Sequence, residues 1–318
     1  MRASPALERR LLAALRGTRA GASTPSFEGV LAALDSVARR LDDDPKAKRV
    51  LGASRVIKTQ DQRLAVRLVA SHLADRPRNL QAWASALLAH EQPSFRAVGV
   101  GLLPHLYPRR PKFAVAQFLH FADDDNWVVR EWAGGAAGSV LNAHFDEFYP
   151  VIAPWTRHAS ENVRRAVVIA TMQAFDRKRP QPERAEPLLR LHDTLVSDRA
   201  EYVRVNLGPF AIGAMILSHY PEATLERLRK WARLEDEAAR WNVAMVWTSA
   251  GARQYAGSGV ELLTRLATDE RRFVWRAVAA AMIKLTRTRP DVCRPVVEAW
   301  ARDPKRAHVA QVVRQYLK

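Results

Sequence analysis

Asn126-Trp127-Val128-Val129-Arg130-Glu131-Trp132 reads as the opening of a helix, and the same opening recurs down the chain. Glu161-Asn162-Val163-Arg164-Arg165-Ala166-Val167 and Glu201-Tyr202-Val203-Arg204-Val205 repeat it closely. Arg240-Trp241-Asn242-Val243-Ala244 and Arg272-Phe273-Val274-Trp275-Arg276-Ala277-Val278 are looser copies. The copies lie about 32 to 40 residues apart, the length of one helical hairpin in a repeat array. Each is followed by a second apolar ridge: Phe148-Ala153-Trp155, Leu188-Leu195, Leu225-Leu228-Trp231, Leu262-Leu266 and Val296-Trp300. One hairpin cannot bury its apolar stripe alone, so neighbours must stack to cover it. The reading is an all-α protein, an α-solenoid of stacked helical hairpins.

Working outward, weaker hairpins fill residues 27–122, with Pro77, Pro93 and Pro111 placed where prolines start helices. No segment alternates with a period of two, so strands are not expected. Residues 1–26 read as an amphipathic helix followed by the Gly21-Ala22-Ser23-Thr24-Pro25-Ser26 linker, and residues 27–318 as the solenoid. The Arg- and Ala-rich start loosely resembles a transit peptide, but Glu8 and the lack of an apolar core segment argue against export. The most apolar stretch, Leu207 to Leu217, is too short to span a bilayer and contains Pro209.

The chain has 50 Lys and Arg against 33 Asp and Glu, a net charge of +17. An excess of that size favours polyanionic partners, with nucleic acid the first candidate and a solvated Arg-rich surface the alternative. The single cysteine, Cys293, excludes an internal disulfide framework and any Cys-based zinc cluster, and is expected to be a packed thiol in a reducing cytoplasm. Nine histidines lack HExxH-type spacing, and Gly99-Val100-Gly101 lacks the third glycine of a dinucleotide loop. There is no P-loop or nucleophile elbow. No metal or organic cofactor is implied.

The helix opened by Asp123-Asp124-Asp125-Asn126 carries two distinct faces. Asp125 or Asn126 can cap it. Val129, Trp132, Ala133 and Ala136 share one face and are expected in the core. Trp127, Glu131, Gly134 or Gly135, and Gly138 share another: an aromatic, a carboxylate one turn on, then bare backbone. Three glycines in a helix cost about 1 kcal/mol each relative to alanine, so something must approach closely there, either a neighbouring helix or a ligand.

The order Trp127-x-x-x-Glu131, then Trp155, then Asn162-Val163-Arg164-Arg165-Ala166 resembles the HEAT-like repeat DNA alkylation repair glycosylases. Asp198-Arg199-Ala200-Glu201-Tyr202-Val203-Arg204, Gly208, and Tyr220-Pro221-Glu222 before the helix ending in Trp231 continue the likeness. As architecture it covers roughly residues 60 to 300, and its motifs are specific over about 125 to 231. The resemblance implies stacked HEAT-like hairpins that embrace duplex DNA and excise cationic N3- or N7-alkylated purines. It implies Glu131 as the catalytic carboxylate, Trp127 and Phe210 as aromatics against the substrate sugar, and Arg164 or Arg165 at a phosphate near the lesion. The repeat pattern adds Arg130, Arg204 and Trp241, at the openings of inner helices, as candidates at the DNA. A carboxylate aimed at an oxocarbenium-like sugar suits a leaving base that already carries positive charge. Three departures stand out. Pro209-Phe210 replaces the family's second tryptophan, and Glu131 replaces the commoner Asp. Ile212-Gly213 stands where a sister branch has Asn-Asp. The rival reading is a non-catalytic HEAT-repeat scaffold that binds DNA structures or an acidic protein partner. In that case Glu131 serves an ion pair and Trp127 an inter-repeat core. A cytoplasmic monomer is expected under either reading.

Overall fold

A computed structural model describes residues 3–16, 26–41, 44–176, 179 and 181–317. Of the expected linker, residues 21–25 lie outside the described residues, and Ser26 caps the following helix through Gly29 N. The chain divides into two compact units, residues 1–143 and 144–318.

In the first unit the helix Pro5–Arg16 buries Leu7, Leu11 and Leu15, spaced four apart on one face. It packs on Phe27–Asp35 and on Thr59–His72. Thr59–His72, Pro93–Leu106 and Trp127–Ala143 pack side by side as one layer, and Pro77–Leu88 and Pro111–Ala122 pack against them as the second. Pro77, Pro93 and Pro111 each open a helix, as their fixed φ and missing N–H allow. The short helix Pro45–Leu51 precedes Thr59–His72 and is closed by Gly52 in the left-handed region at φ 57°. One element departs from the all-helical expectation: Arg39–Arg40 pairs antiparallel with Arg55–Val56. Two paired residues contain no alternation for a sequence reading to detect.

The second unit repeats the plan. Glu161–Thr171, Glu201–Asn206 with its continuation Leu207–Ile216, Glu237–Val246, Arg272–Thr288 and Ala307–Tyr316 pack in succession as one layer. Phe145–Ile152, Ala185–Leu195, Pro221–Trp231, Ala256–Leu266 and Pro290–Ala301 supply their hairpin partners. Among the described residues both units are therefore stacks of helical hairpins. Trp155, Trp231 and Trp300 are buried as their places in the ridges require; Trp247, which follows Glu237–Val246, and the Cys293 thiol are buried as well.

Leu207–Ile216 is a π-helix of 10 residues, far longer than a single wide turn. It begins two residues before Pro209, which lacks the N–H an α-turn would use. The segment lies hard against Glu237–Val246. A Cβ at Gly208 would sit 2.7 Å from Asn242 O, and one at Gly213 2.5 Å from Val246 O. Only glycine allows backbone to approach backbone this closely.

Candidate functional site

In the first unit the site helix is Trp127–Ala143. Asn126 precedes it, buried, and its carboxamide oxygen accepts from Val128 N. Its Nδ2 donates to Leu51 O at 2.6 Å and Gly52 O at 3.3 Å. Trp127 is 41 % exposed, and its indole N–H donates to Val50 O at 2.7 Å. The carbonyls that end Pro45–Leu51 thus hold both residues, so the chain before residue 60 builds the start of this helix. Glu131, one turn on, is half-buried. Gly135, a turn further, opens onto nothing within 4 Å of a built Cβ, whereas Gly134 and Gly138 are buried. The expected close approach therefore separates by residue: Gly134 and Gly138 fill packed positions, and Gly135 leaves bare backbone facing open space.

Trp132 departs from its expected core place. Val129, Ala133 and Ala136 are buried, but Trp132 is half-buried and packs edgewise over Gly101, where a Cβ would meet its ring at 2.8 Å. With Arg63, Arg67 and His105 it lines an open cleft of about 380 Å³. Arg63 and Arg67 lie one turn apart, both exposed, and neither has an ion-pair partner among the described residues. The sequence carried a signal for them, since i and i+4 share a helix face.

The arginines of the repeat openings follow one rule. Each sits four residues after the cap of its helix, at 96, 130, 164, 204 and 240. Arg96 donates back to His90 O and Glu91 O, Arg130 to Asp124 O and Asp125 O, and Arg164 to His158 O and Ala159 O. Arg204 donates to Arg199 O, and Arg240 to Leu234 O. Three of them also reach forward to an acid two residues before the next cap: Arg96 to Asp124, Arg164 to Asp198, Arg240 to Asp269. Each acid in turn accepts from the backbone N–H of the cap residue itself, Asn126, Ala200 or Arg271. The result is a clasp from one hairpin to the next, made of charge-assisted hydrogen bonds. The hydrogen bond to Asp198 and its charge, working against burial, hold the Arg164 guanidinium above its ordinary pKa. Burial alone would raise the Asp269 carboxyl, but hydrogen bonds from Arg271 and Arg240 outweigh it and bring the pKa down to about 2.

The residues expected at DNA in the second unit are placed as follows. Arg164 is taken up by its clasp. Arg165 is buried, 7 % exposed, with its guanidinium carbon 4.4 Å from the Tyr202 ring centroid. Phe210 stands 51 % exposed on the π-helix. Arg204 and Trp241 are brought together, the guanidinium carbon 5.7 Å from the indole centroid and 5.1 Å from that of Phe273. Phe273 stacks on Trp241 with centroids 5.5 Å apart and planes 11° from parallel. The sequence reading did not single out Phe273, Arg272 or Arg276, because their meeting with Trp241 depends on how consecutive hairpins stack.

Among the described residues no group of His, Cys, Asp and Glu is arranged to hold a metal ion, and no helix is long and apolar enough to cross a membrane.

No curated protein sequence matches this chain. Three solved structures align along most of its length. The protein smu.31 from Streptococcus mutans UA159 is 13% identical, with 79% of this chain and 92% of that one covered and a TM-score of 0.28. YibA of Escherichia coli is 15% identical, covering 86% and 92%, with a TM-score of 0.37. AlkD2 from Streptococcus mutans is 13% identical, covering 79% and 97%, with a TM-score of 0.27. The sequence profile of the family described as DNA alkylation repair enzyme matches residues 46–211, more than half of the 318. The chain belongs to the DNA alkylation repair enzyme family.

Proposed function

We propose that this protein binds alkylated duplex DNA and hydrolyses the N-glycosidic bond of cationic alkylpurines, with Glu131 as the catalytic carboxylate and Trp127 beside the sugar. The observation that carries the reading is the placement of Trp127, a large aromatic left 41 % exposed yet pinned through its indole N–H to Val50 O. A ring fixed and exposed is pre-organised for a ligand, since no conformational freedom remains to be lost on binding. The carboxylate one turn on and the open backbone at Gly135 complete a face that a sugar-phosphate chain can approach.

The chemistry asks little of the protein. The C1′–N bond breaks with its electron pair going to the base, which leaves neutral because it began as a cation. A carboxylate at Glu131 opposes the positive charge that develops on the sugar, and the π-face of Trp127 adds to it. Water then adds at C1′ and gives up a proton.

Phosphate contacts fall, in this reading, to exposed arginines without acid partners, Arg63 and Arg67 in the first unit and Arg272 and Arg276 in the second. The clasp arginines position loops instead. Such contacts set affinity rather than sequence preference, and lesion charge and duplex deformability supply selectivity.

The test is release of 7-methylguanine and 3-methyladenine from alkylated duplex DNA by the wild type and by Glu131→Gln. Release that falls on the order of 100-fold or more in the variant, with duplex binding retained, is the expected result. Equal release by both overturns the role of Glu131. No release, with duplex affinity that falls steeply with salt, establishes the non-catalytic scaffold in its place.

A further inference from the structure

The repeat clasp lacks its forward acid at two points, before the cap Ser160, where His158 stands, and before the cap Asp236, and at the second a different chemistry takes its place. Two residues before the cap of Glu237–Val246, where Asp124, Asp198 and Asp269 stand in other repeats, the chain has Leu234. Arg204 thus has no forward acid, and its guanidinium lies against the Trp241 and Phe273 rings. Four residues after the next cap, where an arginine would begin another clasp, stands Trp275. Beside the stacked pair an open cleft of about 520 Å³ is lined by Trp241, Phe273, Met245, Arg272 and Arg276. Phe273 is 37 % exposed, and Arg272 and Arg276 are exposed one turn apart. Among the described residues none of Arg204, Arg272 and Arg276 has an ion-pair partner.

From this arrangement we infer that the Trp241–Phe273 cleft is a binding site for an unpaired nucleotide of a single-stranded DNA segment, stacking its base on the aromatic pair and holding its phosphates at Arg272 and Arg276. The charge is one-signed, so the ligand is anionic. The aromatic surface is flat and open, so the ligand also presents a planar face. A base within a duplex has both faces covered by its neighbours, whereas an unpaired base has one to offer. Stacking on protein aromatics between basic side chains is how single strands are held without sequence preference. Arg204, drawn over both rings, fixes their orientation by a cation–π contact and adds positive charge. The π-helix beneath supports the platform, because Gly208 and Gly213 seat it directly on the backbone of the helix that carries Trp241.

This inference rests on the reading that the protein binds DNA, but not on excision or on Glu131. The test uses the full chain and three fluorescent probes: an eight-nucleotide oligothymidylate, the same backbone made abasic and so of equal charge, and a longer, stably paired duplex. Affinities are compared for the wild type, Phe273→Ala and Phe273→Leu, the last keeping apolar volume without a ring. The expected result is a loss of about 10-fold in oligothymidylate affinity in both variants, with abasic and duplex affinities unchanged. Arg272→Gln with Arg276→Gln lowers affinity for the oligothymidylate and the abasic strand alike and flattens the salt dependence of both. If Phe273→Leu binds oligothymidylate as the wild type does, or if both Phe273 variants weaken the abasic strand equally, base stacking at this cleft is refuted. Failure of the excision reading appears separately, as absent base release with the oligothymidylate result intact.

Discussion

Replacing Arg164 by alanine tests whether the repeat arginines are structural. The side chain is 20% exposed and Asp198 only 5%. Arg164 Nε lies 2.6 Å from one Asp198 oxygen and a terminal nitrogen 3.2 Å from the other. The remaining terminal nitrogen holds His158 O and Ala159 O, each at 2.8 Å. Truncation strands the Asp198 carboxylate with one donor, Ala200 N, at 2.9 Å. Removing one partner of a buried pair costs roughly 3–5 kcal/mol. The surviving Ala200 bond, and the access of water to loop carbonyls, place this case near the lower end, about 3 kcal/mol. A repeat array opens piecewise, so the clearest assay is hydrogen exchange of Ala200 and the following turn, alongside urea unfolding of the whole chain. Arg164→Ala combined with Asp198→Ala should cost less than the sum of the single changes by about 1–3 kcal/mol, because the double variant strands no charge. Duplex affinity should fall by less than threefold. A stable Arg164→Ala protein whose duplex affinity collapses would refute this reasoning and return Arg164 to the phosphate backbone.

Two further outcomes follow from the buried and bare positions. His192 has no exposure, and among the described residues neither ring nitrogen has a hydrogen-bond partner. Burial, opposed by the charge of Asp193, brings its pKa from 6.5 down to about 4. The folded state thus resists a proton that the unfolded chain accepts. The stability this neutral ring permits is fully present above pH 6.5 and is lost as pH falls toward 4, by about 3 kcal/mol in all. His192→Leu should flatten that limb in urea unfolding at pH 4 to 7, and an unchanged pH slope would show that other groups carry it. Gly135 has a negative φ, a helical position and open space around it. Gly135→Ala should raise stability by about 0.5–1 kcal/mol. If substrate approaches the bare backbone there, the same methyl should slow base release. Faster or equal release by a more stabilised protein would remove Gly135 from the site.

The repeat was legible because it is written in short-range terms. A Val-Arg opening every 34 to 40 residues, an apolar ridge behind it and prolines at helix starts define hairpins wherever the chain folds. The burial of Trp155, Trp231 and Trp300 followed from the same periodicity. That Trp127 and Glu131 share a helix face was equally local, read from spacing alone, whereas the exposure of the Trp127 ring was left open between site and inter-repeat core until the fold was known. The clasp was half legible: Asp124, Asp198 and Asp269 precede their caps by two residues in the sequence, but only folded loops show the arginine turning back to them.

Contacts between distant segments belong to tertiary structure alone. Val50 O and Trp127 are 77 residues apart, and nothing in either segment foretells that the end of Pro45–Leu51 holds the site helix. Trp132 reads as core on a helical wheel, yet a wheel does not register that Gly101 and Val66 leave its ring at the wall of a cleft. Whether Arg204 meets an acid or an aromatic pair is set by a neighbouring hairpin, where Leu234 and Phe273 stand. Spacing along the chain fixes which residues share a helix face, because the α-helix has one period. What each face meets is fixed by stacking, in which single long-range contacts of about 1 kcal/mol select among placements that local propensity leaves equal.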